Sequence, residues 1–98
     1  MPLSLSCAQA AALALSESMD LDPRIIALGE DIGRGGIFGQ YRGLLERFGP
    51  SRIIDTPISE STIVGAAVGM ALCGLKPVVE LRVVDFALCA MDEIVNQA

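Results

Sequence analysis

The chain has 98 residues, of which 52% are hydrophobic and 19% are charged, and its formal net charge is −5. A complete domain of this size buries only about two-thirds of its unfolded surface. We therefore expect so apolar a chain to be part of a longer protein or to assemble tightly with a partner. The acidic balance, without a cluster of lysine and arginine, argues against a nucleic-acid-binding surface.

The cysteines and the N-terminal segment indicate the compartment. Cys7, Cys73 and Cys89 are odd in number and widely spaced, and no histidine accompanies them, so we expect reduced core thiols and no metal site on this chain. Residues 1–15 lack the basic leading segment of a secretory signal and favour an amphipathic helix, and no apolar run reaches the roughly 20 residues that cross a bilayer. These features favour a soluble protein of the bacterial cytoplasm or, as the alternative, of the mitochondrial matrix.

Hydrophobic periodicity predicts alternating helices and strands. In chain order, we expect a helix capped by Ser6 and ending near Asp20, a strand over 24–29, a glycine-rich loop over 33–39, a short helix over 41–48, a strand beginning at 53–54, a helix over 62–73, a strand over 77–84 and a helix over 87–97. This alternation predicts an α/β fold with three α/β/α layers and a mainly parallel sheet.

The carboxyl ends of the three strands carry the candidate functional residues. Ligands bind at the carboxyl ends of strands in open parallel sheets. Glu30 and Asp31 follow the first predicted strand, Asp55 to Glu60 follow the second, and Asp85 and Phe86 follow the third. The sequence therefore predicts that acids and one aromatic ring converge at this edge.

The residues by themselves leave structural alternatives open. Glu60 would also suit the positive end of a helix dipole, Phe86 would suit the core, and Glu30 and Asp31 would suit a solvated strand end. The loop over 33–39 lacks the Gly-Lys-Ser/Thr sequence of a phosphate-binding loop, so we interpret it as a flexible turn. In the helix after Glu60, glycines at 65 and 69 lie on one face and favour close packing against a soluble partner.

The spacing around Glu60 is similar to a known motif. Glu60, four residues, Gly65-Ala66, two residues and Gly69-Met70 resemble the pyrimidine-binding domain of thiamine-diphosphate enzymes. The longer string from Ala27 to Ala98 resembles the beta subunit of the E1 component of 2-oxo acid dehydrogenase complexes. That likeness is carried by Leu28-Gly29-Glu30-Asp31, Arg47-Phe48-Gly49-Pro50, Arg52 to Glu60, Gly74 to Glu80, Asp85-Phe86 and Asp92 to Gln97. Residues 1–98 would then be the N-terminal portion of a transketolase-like pyrimidine-binding domain.

The resemblance implies roles for four residues. Glu60 would be catalytic, with its carboxyl group hydrogen-bonded to the ring nitrogen N1′ of the cofactor's aminopyrimidine. Phe86 would stack on that ring, Ile58 would contact it, and Glu30 would lie nearby in a proton network that links paired sites. The cofactor would be thiamine diphosphate. Its diphosphate and magnesium would be held by the alpha subunit, because nothing here resembles the Gly-Asp-Gly and asparagine motif.

The resemblance also implies a reaction and partners. The activity would be oxidative decarboxylation of a 2-oxo acid with acyl transfer to a lipoyl group. The partners would be an E1 alpha subunit, packed against Gly65 and Gly69, a second beta subunit in a heterotetramer, and a lipoyl-bearing acyltransferase. Arg82 and Val83 depart from the glutamine and aromatic residue that many relatives carry. Two alternatives stay open: a non-catalytic, truncated interaction module, and another transketolase-like enzyme that carries its diphosphate site on the same chain.

Overall fold

The computed structural model describes residues 4–98, so the first three residues of the expected N-terminal helical stretch lie outside the described residues. The chain forms α1 (Cys7–Leu21), β1 (Ile25–Gly29), α2 (Leu44–Phe48), β2 (Ile53–Asp55), α3 (Glu60–Leu72) and β3 (Lys76–Glu80). A 3₁₀ segment (Val84–Ala90) and a π-helical turn (Glu93–Gln97) follow. The strands are all parallel, in the order β2-β1-β3, which confirms the predicted α/β fold.

The three strands end at the same level of the sheet. Gly29, the last residue of β1, is the register partner of Asp55 in β2 and of Glu80 in β3. A Cβ atom at Gly29 would lie 2.6 Å from the Cβ of Glu80 and 2.9 Å from its carbonyl oxygen. Only glycine therefore allows β1 and β3 to pair to their last residues without displacement of the backbone.

Helices cover both faces of the sheet. On one face, a buried cluster draws on α1, α2 and two strands and consists of Met19, Ala27, Ile32, Tyr41, Leu44 and Ile53. Side chains alternate along a strand, so Leu28, which is 3% exposed, points to the other face. That face is covered by α3, which packs against β3. The expected three layers are thus present.

Local rules account for the first helix. The Ser6 hydroxyl accepts a hydrogen bond from the Gln9 backbone N–H at 3.1 Å, and the Gln9 side chain accepts one from the Ser6 N–H at 2.9 Å. This capping box satisfies two backbone donors at the helix start. The prediction that Ser6 begins the helix is confirmed, and the helix ends at Leu21, one residue beyond the predicted end.

Three predicted segments differ from the structure in their bounds or helix type. The short helix begins at Leu44, because Gly43 adopts a left-handed φ of 80° immediately before it. β3 ends at Glu80 and not at residue 84, because β1 offers no partner beyond Gly29. The last segment is not one α-helix over 87–97 but a 3₁₀ segment followed by a π-helical turn, both packed against α3.

The cysteines do not lie in the core. Cys7, Cys73 and Cys89 are free thiols, and all three are exposed, so the expectation of core thiols is wrong for this chain. Each lies at or beyond a helix end or in the 3₁₀ segment, where no second layer covers it. Among residues 4–98, no helix combines the length and apolar character that a membrane crossing needs.

Arg52 ties the end of α1 to the start of the sheet. Its guanidinium donates hydrogen bonds to the carbonyl oxygens of Met19 at 3.0 Å, Asp22 at 3.0 Å and Ile25 at 3.1 Å. The same group lies 5.0 Å from the centre of the Phe48 ring, in cation–π geometry. These carbonyls belong to the end of α1 and the turn into β1, so one side chain satisfies acceptors that the helix leaves unpaired.

We expect Arg52→Met to lower the free energy of unfolding by about 2 kcal/mol, because charged hydrogen bonds to partly buried carbonyls are lost. Urea denaturation followed by circular dichroism measures the change. Arg42→Met is the matched control, since the Arg42 side chain is exposed and makes no side-chain hydrogen bond or ion pair within residues 4–98. Equal stability of the two variants would contradict the assigned role of Arg52.

Asp22 makes the stability of the fold depend on pH. Its carboxylate lies 2.9 Å from the guanidinium of Arg24 and 2.9 Å from the ammonium of Lys76. Hydrogen bonds from Arg24, and then from Lys76, hold the pKa of the Asp22 carboxyl well below its usual value. Since the pKa is lower in the folded state, ionised Asp22 stabilises the fold above about pH 4, and this contribution is lost as the pH falls.

We therefore expect the free energy of unfolding to decrease less steeply below about pH 4 in Asp22→Asn than in the parent chain. Urea titrations at a series of acidic pH values measure the slope. Asp85→Asn is the control, because Asp85 is exposed and has no ion pair in the described part of the chain. An unchanged slope in Asp22→Asn would show that the carboxyl does not contribute.

Candidate active site

The predicted site residues lie at or beyond the carboxyl edge of the sheet. Glu30 directly follows β1, residues 56–59 connect β2 to Glu60, and Phe86 lies in the segment after β3. Because the three strands are parallel and end level, these connections leave the sheet at one edge. The prediction that the three strand exits share an edge is confirmed.

The connection from β2 to α3 is short and tightly held. The Thr56 backbone N–H donates to the Gly29 carbonyl at 2.9 Å, which extends the pairing one residue beyond β2. The Ser59 hydroxyl donates to the Pro57 carbonyl at 3.0 Å. The Ile63 N–H donates to the Ser59 carbonyl at 2.8 Å and so closes the first turn of α3. The helix therefore begins at Glu60, two residues before the predicted start.

Glu60 lies on the inward face of α3. Ile63 and Ala67, three and seven residues further along, are 2% and 7% exposed. Residues at these spacings share one face of a helix, so the Glu60 side chain leaves α3 toward the sheet.

Two oxygen atoms at this place are buried without partners. Glu60 Oε2 and Thr56 Oγ1 have no hydrogen-bond partner among residues 4–98. Most buried polar atoms in folded proteins are hydrogen-bonded, so such atoms indicate a functional or hydrated position. The sequence analysis identified Glu60 and missed Thr56, although Thr56 lies in the same Arg52 to Glu60 string.

Phe86 and Ile58 offer exposed apolar surface. Phe86 is 43% exposed and lies in the 3₁₀ segment that packs against α3, so it is not a core residue. Ile58 is 78% exposed and contributes no burial to Glu60 within the described chain. Both side chains are free to contact a flat ring or another polypeptide.

Glu30 is paired with a cation and is not simply solvated. Its side chain is only 12% exposed, and its Oε2 lies 3.7 Å from Arg82 Nε. Arg82 also forms an ion pair with Asp31, which holds a left-handed φ of 57°, and Arg34 lies 3.9 Å from the same aspartate. Arg82 thus pairs with both acids that follow β1.

The glycine-rich loop is fastened to the sheet edge by side chains that the sequence did not single out. The Gly33 N–H donates to Asp55 Oδ1 at 2.7 Å. The Tyr41 hydroxyl donates to Glu80 Oε2 at 2.8 Å, and the Gln40 amide donates to Glu80 Oε1 at 3.1 Å. Burial, and then the Glu80 carboxylate, raises the pKa of Tyr41 well above its usual value. An acid at the end of a buried strand was the available signal.

No group of three or more histidine, cysteine, aspartate or glutamate side chains within residues 4–98 is arranged to bind a metal ion. The polar chemistry of the edge is therefore that of single carboxylates and their arginine, tyrosine and amide partners. Of these, the Glu60 carboxyl alone combines a helix start, an inward face and an unpaired buried oxygen.

Residues 4–98 match the family model of the transketolase pyrimidine binding domain. The chain belongs to this family, which confirms the resemblance found around Glu60.

Curated relatives are similar over most of this chain. They include a 2-oxoisovalerate dehydrogenase subunit beta of Bacillus subtilis (strain 168), 44% identical over 87 residues, which are 88% of this chain and 27% of the relative. A mitochondrial pyruvate dehydrogenase E1 component subunit beta-1 of Arabidopsis thaliana is 44% identical over 86 residues, or 87% of this chain and 24% of the relative. A pyruvate dehydrogenase E1 component subunit beta of Rickettsia bellii (strain RML369-C) is 46% identical over 86 residues, or 87% and 26%. The chain thus spans about a quarter of the length of the curated relatives it matches.

We expect Tyr41→Phe to lower the free energy of unfolding by about 1.5–3 kcal/mol, because a buried hydrogen bond to a carboxylate is lost. Urea denaturation measures the change. A double-mutant cycle with Glu80→Ala identifies the partner, since the effect of Tyr41→Phe should shrink when Glu80 is absent. Additive effects would show that the two side chains act separately.

Proposed function

We propose that this chain is the pyrimidine-binding portion of the beta subunit of a thiamine-diphosphate-dependent 2-oxo acid dehydrogenase E1 component. The relatives named above support the reaction class, because they are called pyruvate and 2-oxoisovalerate dehydrogenase beta subunits. The observation that carries the proposal is the position of the Glu60 carboxyl group, which faces inward from the start of α3 at the carboxyl edge of a parallel sheet.

The residues of this edge fit an aminopyrimidine ring. Glu60 offers a carboxyl group at the start of α3, and a ring nitrogen can form a hydrogen bond with such a group. Phe86 offers a half-exposed aromatic face, and Ile58 offers exposed aliphatic surface. An offset stack on Phe86 would contribute on the order of 1 kcal/mol beyond area burial.

Glu60 would hold and transfer one proton. When bound, thiamine diphosphate supplies the carbon nucleophile and the electron sink that decarboxylation of a 2-oxo acid requires. Glu60 would share a proton with the ring nitrogen N1′ and would fix the orientation of the ring, as a general acid–base residue does. Phe86 and Ile58 exclude water from the ring face. Glu30, held by Arg82, places a second, mostly buried carboxylate at the same edge.

The remaining parts of the reaction belong to partners. We assign the diphosphate and magnesium to an E1 alpha subunit, because this sequence has no counterpart of the Gly-Asp-Gly and asparagine motif. A second beta subunit would complete the heterotetramer, and a lipoyl-bearing acyltransferase would receive the acyl group. The substrate class is a 2-oxo acid, and the bacterial cytoplasm is the proposed compartment.

A second candidate function is a non-catalytic interaction module. The specific observation in its favour is the large apolar surface at and beyond α3, where Leu72 is 84%, Val84 82% and Leu88 74% exposed. Such surface marks an assembly site, whether or not catalysis accompanies it.

A chimera tests the catalytic proposal in a complete subunit. Residues 4–98 of this chain replace the matching segment of the B. subtilis 2-oxoisovalerate dehydrogenase subunit beta, which is co-expressed with its alpha subunit. We expect 2-oxo acid decarboxylation by the chimera and a loss of about 100-fold or more in kcat for Glu60→Gln, because the proton at N1′ is no longer held. Calorimetry measures thiamine diphosphate binding, with magnesium, in the presence and absence of the alpha subunit.

Glu17→Gln is the matched control, because Glu17 is exposed on α1, away from the sheet edge. Sedimentation shows whether each variant assembles. An assembled chimera that binds no thiamine diphosphate, or in which Glu60→Gln has the kcat of Glu17→Gln, would favour the interaction module.

A further inference from the structure

Thr56 and Glu60 form a pair of buried, unsatisfied groups. The hydroxyl oxygen of Thr56 and one carboxyl oxygen of Glu60 are both inaccessible, and neither has a hydrogen-bond partner among residues 4–98. The two residues lie at the two ends of one four-residue step, from the end of β2 to the start of α3. Neither group bonds directly to the other.

The strand alternation places both groups between the sheet and α3. Ile53 belongs to the core on the α1 and α2 face, and Thr56, whose backbone N–H donates to the Gly29 carbonyl, lies three residues further along. An odd step along an extended strand reverses the face, so Thr56 points toward α3. Glu60 begins the same helix face that buries Ile63. The Thr56 hydroxyl and the Glu60 carboxyl group therefore both lie on the α3 side of the sheet edge.

Other hydroxyl groups of this connection are already engaged or point elsewhere. The Ser59 hydroxyl donates to the Pro57 carbonyl. Ser61 and Thr62 are exposed on the first turn of α3. Thr56 is thus the hydroxyl group of residues 56–62 that remains for a buried role next to Glu60.

We propose that Thr56 is a positioning residue for Glu60 and that the two side chains bind one shared water molecule. The Thr56 hydroxyl donates to the water oxygen, and the water donates to Glu60 Oε2, which satisfies both orphaned atoms. Oε1 of Glu60 then remains for the cofactor's ring nitrogen. The role in cofactor binding rests on the proposed function, whereas the shared water does not.

Thermal unfolding of the cofactor-free 98-residue chain tests the shared water. We expect Thr56→Val to lower the midpoint by about 4 °C or more, because Glu60 loses its bridging partner, and Thr56→Ser to restore it. Thr62→Val, which changes an exposed threonine of the same turn, should leave the midpoint unchanged. Removing a hydroxyl that truly has no partner would instead stabilise the chain. An equal or higher midpoint in Thr56→Val would therefore overturn the proposal.

The chimeric subunit with its alpha partner gives the second readout. We expect Thr56→Val to weaken thiamine diphosphate binding by about threefold or more, with the KM for the 2-oxo acid unchanged, and Thr56→Ser to bind as the parent does. In the Glu60→Gln background, Thr56→Val should have a much smaller effect. Additive effects, or no rescue by serine, would sink the assignment. If Glu60→Gln itself leaves cofactor binding unchanged, the proposed function fails, while the unfolding measurement still decides the Thr56–Glu60 link.

Discussion

The close approach of β1 and β3 at Gly29 is the constraint on which the functional edge depends. A side chain at this position would overlap the Glu80 backbone, with a Cβ–Cβ separation of 2.6 Å. Because Gly29 has no side chain, all three strands pair to their last residues, Gly29, Asp55 and Glu80. The connections that follow must therefore leave the sheet at one level. A shift in the register of β2 or β3 against β1 would move Glu30, the Thr56–Glu60 connection and the segment with Phe86 apart along the strand direction.

The polar groups on the two faces of this sheet edge differ in whether they are hydrogen-bonded. Asp55 lies two residues after the core residue Ile53, and Glu80 lies two residues after Val78, which packs against the same core. Both acids therefore belong to the face covered by α1 and α2. Both are hydrogen-bonded there and hold the glycine-rich loop through its backbone and through Tyr41. On the α3 face, Glu60 Oε2 and Thr56 Oγ1 are buried and have no hydrogen-bond partner among residues 4–98. Satisfied networks make a scaffold rigid, whereas unsatisfied groups are retained where a ligand or water is to be bound. The first face thus supports the edge and the second is suited to chemistry.

The outer surface of α3 suits assembly. A Cβ atom at Gly69 would meet no atom within 4 Å among the described residues, and one at Gly65 would only touch the Glu93 side chain at 3.7 Å. No contact among residues 4–98 therefore explains two glycines that each cost about 1 kcal/mol in a helix interior. That an E1 alpha subunit packs on this face stays a prediction, and it agrees with the large exposed side chains nearby.

The sequence by itself determined the order of helices and strands, the parallel sheet, the start of α1 at Ser6 and the motif around Glu60. These follow from short-range periodicity, capping and spacing, which a chain carries locally. Tertiary structure alone decided that β3 stops at Glu80, that the last segment leaves α-helical geometry, that the cysteines are exposed and that Glu30 pairs with Arg82. It also decided that the Thr56 hydroxyl oxygen, like one carboxyl oxygen of Glu60, is buried. Each of these features depends on which residues that are distant in sequence become neighbours in space, and local sequence patterns do not encode such contacts.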